Sequence, residues 1–158
     1  MIATAWRIVK RKHAAHAFNG EGARLFGGRW NSPGMSLIYT AESQSLATLE
    51  MLVHLDGPEL LERYTLFKVG IQTSLIMDFE LAELPKNWKA RPWSAACRAL
   101  GDKWAGAQVS VALRVPSAVV PSEHNSLINP MHRDFSRVTI AQLQPFRFES
   151  RLVKRRPR

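Results

Sequence analysis

A short run, Gly27-Gly28-Arg29-Trp30-Asn31, combines two things an anion site needs. Glycines let the backbone come close to a bound group, and an arginine offers a fork of donors that matches phosphate oxygens. The same run could be an ordinary turn with a solvated arginine. It is not a P-loop, because the Gly-x-x-x-x-Gly-Lys-Ser/Thr order is absent. Tyr39 follows near the end of an extended apolar segment. Its ring could stack on a planar ligand, or it could be a core tyrosine with its hydroxyl satisfied. Glu50 is the anomaly of the chain. Leu46, Leu49 and Val53 are spaced i, i+3 and i+7, which marks the inward face of a helix, and Glu50 fills the i+4 place on that face. A carboxylate there is costly to bury without partners. It either floors a cleft or sits at the stripe's edge and reaches water.

Farther along, Val115-Pro116-Ser117-Ala118 leads into a polar stretch holding Asn125, Ser126, Asn129 and His132. The asparagines suit turns. His124 and His132 lack companions at zinc-like spacing, so no metal site is expected.

The elements that must position these groups are read from periodicity and punctuation. Strands are expected over 3–9, 35–41, 64–71, 109–115 and 117–121, with one or two more in 137–148. A glycine-rich loop spans 19–34 and a polar loop 122–134. Ser43 caps a helix running to about residue 55, stopped by Asp56-Gly57-Pro58, and a second helix covers 93–105. Strands and helices mix without a βαβ rhythm. The expected fold class is α+β, a single domain over 1–150 with a curved, mixed and largely antiparallel sheet.

Bulk properties set the class. The chain has 158 residues, 46% of them hydrophobic and 22% charged, enough for one self-sufficient core. Its single cysteine, Cys97, cannot form an intrachain disulfide, which suits a reducing compartment; in an apolar helix it is read as a small buried hydrophobe. No apolar run is long enough to span a membrane. Residues 1–16 carry charges where a secretion signal needs an unbroken apolar segment, so a cytoplasmic protein is expected. The net charge of +9 invites a nucleic-acid reading, but Arg151, Lys154, Arg155, Arg156 and Arg158 supply five of those charges, leaving +4 on the first 150 residues. The segment 151–158 is read as a flexible basic tail.

Taken as an ordered set, the pieces resemble the RES family, named for an arginine, a glutamate and a serine. Arg29 in Gly-Gly-Arg-Trp-Asn matches the arginine, Tyr39 in Leu-Ile-Tyr-Thr-Ala its tyrosine, and Glu50 in Ser-Leu-Ala-Thr-Leu-Glu the glutamate. Ser117 in Val-Pro-Ser-Ala is taken as the serine, with Ser126 as the alternative, and residues 125–132 resemble the C-terminal signature. The likeness runs from about residue 4 to 148.

That resemblance implies a fold similar to ADP-ribosyltransferase toxins. It also implies a toxin of a type II toxin–antitoxin system that cleaves the nicotinamide–ribose bond of NAD. NAD would then be substrate rather than cofactor, with water or inorganic phosphate as acceptor. Glu50 would stabilise the oxocarbenium-like transition state and grip a ribose hydroxyl. Arg29 would hold the pyrophosphate and pair with Glu50 in the empty site, Tyr39 would stack on nicotinamide, and Ser117, Asn125 and Ser126 would donate hydrogen bonds to NAD or phosphate. The implied partner is an Xre-type antitoxin, in a hetero-oligomer with two or more copies of each chain, which alone would touch DNA. Three readings compete: a protein-modifying ADP-ribosyltransferase using the same residues, a nucleic-acid-binding protein or RNase toxin resting on the charge, and a non-catalytic interaction protein.

Overall fold

A computed structural model describes residues 1–152. Among these residues seven strands form one sheet in the order β4-β5-β6-β2-β1-β3-β7. They are β1 (Ile2–Lys10), β2 (Ile38–Ala41), β3 (Tyr64–Gln72), β4 (Ile76–Asp78), β5 (Ala112–Pro116), β6 (His124–Ile128) and β7 (Thr139–Phe146). Only β4 and β5 run parallel; every other pair is antiparallel. Three α-helices accompany them: α1 (Glu21–Phe26), α2 (Gln44–Leu52) and α3 (Ala95–Ala107). The expected mixed, largely antiparallel α+β sheet is what forms. Residues 151 and 152 close a short 3-10 turn, and the rest of the expected basic tail, 153–158, lies outside the described residues. Among the described residues no helix is long and apolar enough to cross a membrane.

The sheet is unevenly sewn. β1 and β3 share nine registered pairs, whereas β1 and β2 meet at one, Trp6 with Ala41. Two half-sheets, β4-β5-β6-β2 and β1-β3-β7, therefore join at a narrow seam. The Arg7 side chain spans it: one terminal NH donates to Tyr39 O at 2.8 Å and Nε to Ala17 O at 2.9 Å.

Two helices fix the sides of the seam. Ser43 caps α2 by accepting from Leu46 N at 3.0 Å. Its buried face, Leu46 and Ala47, packs on Ile8, Ala41, Tyr64 and Leu66. Fully burying Leu46 contributes about 2 kcal/mol. Leu49 and Val53, expected on the inward face, are 40% and 47% exposed. The inward stripe is instead Leu46, Ala47 and Glu50, with Glu50 one turn from both. Ser94 caps α3, which buries Cys97 and Trp104 against Trp30, Leu113, Val115 and Leu127.

Other departures have local causes. The glycine-rich loop contains α1, begun by left-handed Gly20 and ended by Gly27 at φ 71°. The valine-rich 117–121 is not a strand. Pro116 and Pro121 bracket it, and Ser117 N donates to Glu123 O, so it folds as the connection between β5 and β6. The expected polar loop contains β6, a central strand bonded to β5 and β2. Its polar residues have particular partners: Asn125 lines the cleft and bonds Glu50, and Ser126 lies buried opposite Thr40.

Gly101 sets the approach of α3 to the glycine-rich loop, since a Cβ there would lie 1.7 Å from Trp30 O. Gly101→Ala is expected to cost about 3 kcal/mol in a urea melt. Gly106→Ala, on the same helix with nothing within 4 Å of the added carbon, should be neutral or stabilising by about 0.5 kcal/mol. Equal melts for the two variants would refute this close packing.

Candidate active site

A cleft of about 1230 Å³ opens at the seam and draws its walls from both half-sheets and from α2. Trp6, Arg7 and Ile8 come from β1, Tyr39 to Ala41 from β2, Glu50 and Met51 from α2, and Asn125 from β6. The mouth is edged by the glycine-rich loop through Arg29 and by Lys89, Arg91 and Trp93 ahead of α3.

Glu50 is held from one side. Ser117 Oγ donates to its Oε1 at 2.8 Å and Asn125 Nδ2 donates to the same oxygen at 2.7 Å. Among the described residues no protein group bonds Oε2, which leaves that oxygen to the cleft. Two bonds on one oxygen hold the carboxylate in one rotamer. Ser117 is fully buried and fully used: its proton goes to Glu50, and its oxygen accepts from Val119 N and Val120 N, each at 3.0 Å. It has no capacity left to donate to a substrate, contrary to the direct contact expected of it; it aims Glu50. Asn125 differs. With Nδ2 committed to the carboxylate, its Oδ1 is buried without a partner and can accept from an incoming hydroxyl. Ser126 does not line the cleft. One residue along a strand reverses the side chain, and Ser126 is buried outside the lining, its carbonyl accepting from the Thr40 hydroxyl.

Tyr39 has the satisfied hydroxyl of a core tyrosine and also lines the cleft. Its hydroxyl donates to Asn31 Oδ1 at 2.6 Å and accepts from Trp30 N at 3.1 Å, while the ring lines the cleft. Burial pushes its pKa well above the usual tyrosine range, so it remains a neutral phenol. Asn31, fully buried, donates to the carbonyls of Ala23, Ser32 and Met35 and so braces the loop around the tyrosine.

Arg29 does not pair with Glu50. Its guanidinium donates to Trp88 O and, at 3.3 Å, to Ala90 O, which ties the glycine-rich loop to the segment ahead of α3. Partial burial, then the neighbouring Arg91, lower its pKa from the ordinary arginine value. These carbonyls satisfy donors without neutralising charge, so Arg29 stays available to an anion.

The residue that the sequence reading missed is Arg7. Besides spanning the seam, its guanidinium lies over the Phe18 ring at 5.9 Å from the centroid. Among the described residues no carboxylate forms an ion pair with it. Burial pulls its pKa down to about 10, which leaves it cationic at neutral pH. A lone arginine inside the apolar run Ala-Trp-Arg-Ile-Val was the available signal. The cleft thus presents one fixed carboxylate facing cations that lack internal counter-ions. Among the described residues no three His, Cys, Asp or Glu side chains gather as a metal cluster.

A family model for the RES domain matches residues 4–149. A protein named "Toxin Res" from Yersinia enterocolitica is 40% identical over 149 residues, covering 93% of this chain and 97% of its own length. A "Prs ADP-ribosylating toxin" from a Sphingobium species is 35% identical over 161 residues, covering 98% and 99%. Among solved structures, a chain of the M. tuberculosis MbcT–MbcA toxin–antitoxin complex shares the fold, with a TM-score of 0.75, 20% identity, and coverage of 97% of this chain and 87% of that one.

Gly28 lets Tyr39 close onto the loop, since a Cβ there would lie 2.6 Å from the tyrosine hydroxyl and 3.0 Å from Asn31 Oδ1. Gly28→Ala should displace that hydroxyl and lower stability by about 1–3 kcal/mol. Gly22→Ala, in open space, serves as the control. A Gly28→Ala protein that melts with the wild type would remove the Tyr39–Asn31 contact from the account.

Proposed function

This chain belongs to the RES domain family, and we propose that it is the toxin of a toxin–antitoxin pair that cleaves the nicotinamide–ribose bond of NAD. The observation that carries the proposal is Glu50. It is a carboxylate held by Ser117 and Asn125, with one oxygen open to a cleft in which the lysine and arginine side chains are Arg7, Arg29, Lys89 and Arg91 and no second carboxylate lines the wall among the described residues.

Breaking the bond to nicotinamide builds positive charge on the ribose ring. A preorganised anion beside the ring lowers that barrier, because its dipoles and charges need no rearrangement during reaction. The open oxygen of Glu50 supplies the anion and accepts from a ribose hydroxyl, with Asn125 Oδ1 as a second acceptor. Arg29 and Arg7, without carboxylate partners, bind the two anionic phosphates. The Tyr39 ring forms a wall against which the planar nicotinamide packs. Nicotinamide leaves as a neutral molecule, so no acid is required at that end, and one carboxylate suffices where a glycosidase uses two. Water or inorganic phosphate then takes the ribose.

A second reading keeps the same residues and makes a protein the acceptor. It is favoured by the similarity to the ADP-ribosylating toxin of Sphingobium. In either case the toxin reading implies an antitoxin, of the Xre type, that covers the cleft and alone contacts DNA, in a cytoplasmic complex. The M. tuberculosis neighbour was solved as a toxin–antitoxin complex.

Purified chain incubated with NAD, with and without phosphate, should release nicotinamide, and chromatography of the second product names the acceptor. Glu50→Gln should keep its fold and lose about 100-fold or more in rate. Unchanged turnover by the folded variant would be fatal to the role of Glu50. Label from NAD appearing on a protein band without free ADP-ribose or its phosphate would select the second reading. Arg29→Ala should weaken NAD binding about tenfold by calorimetry, the size of one charge-assisted bond; an unaltered dissociation constant takes Arg29 out of the phosphate site.

A further inference from the structure

The cleft holds a base that the mechanism above does not use. His54 follows α2 by two residues, one helical turn beyond Glu50, and lines the same cleft. Its backbone is fixed, because His54 N donates to Met51 O at 3.0 Å. Among the described residues no hydrogen bond reaches its imidazole. The charged groups that face it are Arg91 from the segment ahead of α3, Arg29 from the glycine-rich loop, and Glu50 from its own helix.

The reaction leaves a specific gap. When water is the acceptor, a proton must leave it as the new C–O bond forms. Glu50 is poorly suited to take that proton. It is held by two donors on one oxygen, and its charge is needed beside the ribose. Tyr39 is a neutral phenol with its hydroxyl occupied. Lys89, Arg29, Arg91 and Arg7, the other basic side chains of the wall, are hydrogen-bond donors. His54 alone among the lining residues offers an uncharged nitrogen lone pair.

We propose that His54 is the general base for the acceptor: it takes the proton of the water that attacks the ribose, and so decides how well this cleft hydrolyses rather than transfers to an anion. Water attacks C1 of the ribose, the pair of the C1–N bond leaves with nicotinamide, and the water proton passes to the imidazole and from there to solvent. An acceptor that arrives already ionised has no proton to give up and does not need the histidine. Partial burial, and then the Arg91 charge, pull the imidazole below the usual histidine range, which keeps it unprotonated and ready at neutral pH. The sign follows: hydrolysis is full above that lowered value and fails as pH falls through it.

The inference rests on the NAD-cleaving reading, and the test separates the two. Wild type and His54→Gln are given NAD in water alone and with added sodium azide, an acceptor that needs no base. Nicotinamide, ADP-ribose and the ribosyl azide are then quantified across pH. The expected result is hydrolysis reduced about 100-fold in His54→Gln, with azide transfer at the wild-type rate and the acid limb of the hydrolysis profile gone. Wild-type hydrolysis with an unaltered profile in the variant overturns the proposal. So does an equal loss of both reactions, which marks a structural role, or a wild type that reacts with azide or phosphate but never with water. A wild type that releases no nicotinamide under any condition overturns the parent reading, and the role of His54 with it.

Discussion

The protein is organised around a seam that is deliberately under-bonded. Neighbouring strands normally satisfy each other's amides and carbonyls along their length. Here β1 and β2 share one registered pair, and the gap becomes the cleft. A gap in a sheet exposes backbone acceptors, and Arg7 meets that need by donating across it to Tyr39 O while its Nε holds Ala17 O on its own side. One side chain thus closes the split mechanically and charges it. The helices follow from this. α2 packs over the seam, its Leu46 and Ala47 set against Ile8 and Leu66 on one side and Ala41 on the other, while α3 covers β5 and β6, and each is pinned by a serine cap and its own apolar cluster.

Around that gap the polar groups are arranged so that few are idle. Ser117, Asn31 and the Tyr39 hydroxyl have their bonding capacity consumed by neighbouring protein groups, which makes them supports. Arg7, Arg29, one oxygen of Glu50 and Asn125 Oδ1 retain capacity toward the cleft, which makes them the working surface. This division cannot be guessed from residue type. A serine and an asparagine look equivalent as donors until the partners of each lone pair are counted.

The α+β class and largely antiparallel sheet were legible because apolar alternation and capping residues are local signals. Glu50 was legible for a different reason, as a carboxylate where helical spacing wanted an apolar group, even though Leu49 and Val53 face solvent. Arg29 and Tyr39 were legible from glycine context and spacing, but their bonds to Trp88 O, Asn31 and Trp30 N depend on contacts distant in the chain or on the turn's exact path. β6 was hidden because its first three residues, His124, Asn125 and Ser126, are polar although the strand is central, and polarity reads as loop. Arg7 was hidden because a single charge in a strand is usually solvent-facing. In each miss the deciding neighbour was brought in by the tertiary fold.

The unpartnered Asn125 Oδ1 and the arginines without counter-ions have a thermodynamic corollary. Buried polar and charged groups whose needs the fold meets only in part raise its free energy, and a ligand that completes them lowers it by mass action. For an enzyme that destroys this same ligand, as proposed for this chain, the substrate doubles as a conformational stabiliser that turnover removes. Its folded lifetime would then fall as the dinucleotide pool is drained, a built-in self-limitation that melting curves taken across dinucleotide concentrations would expose.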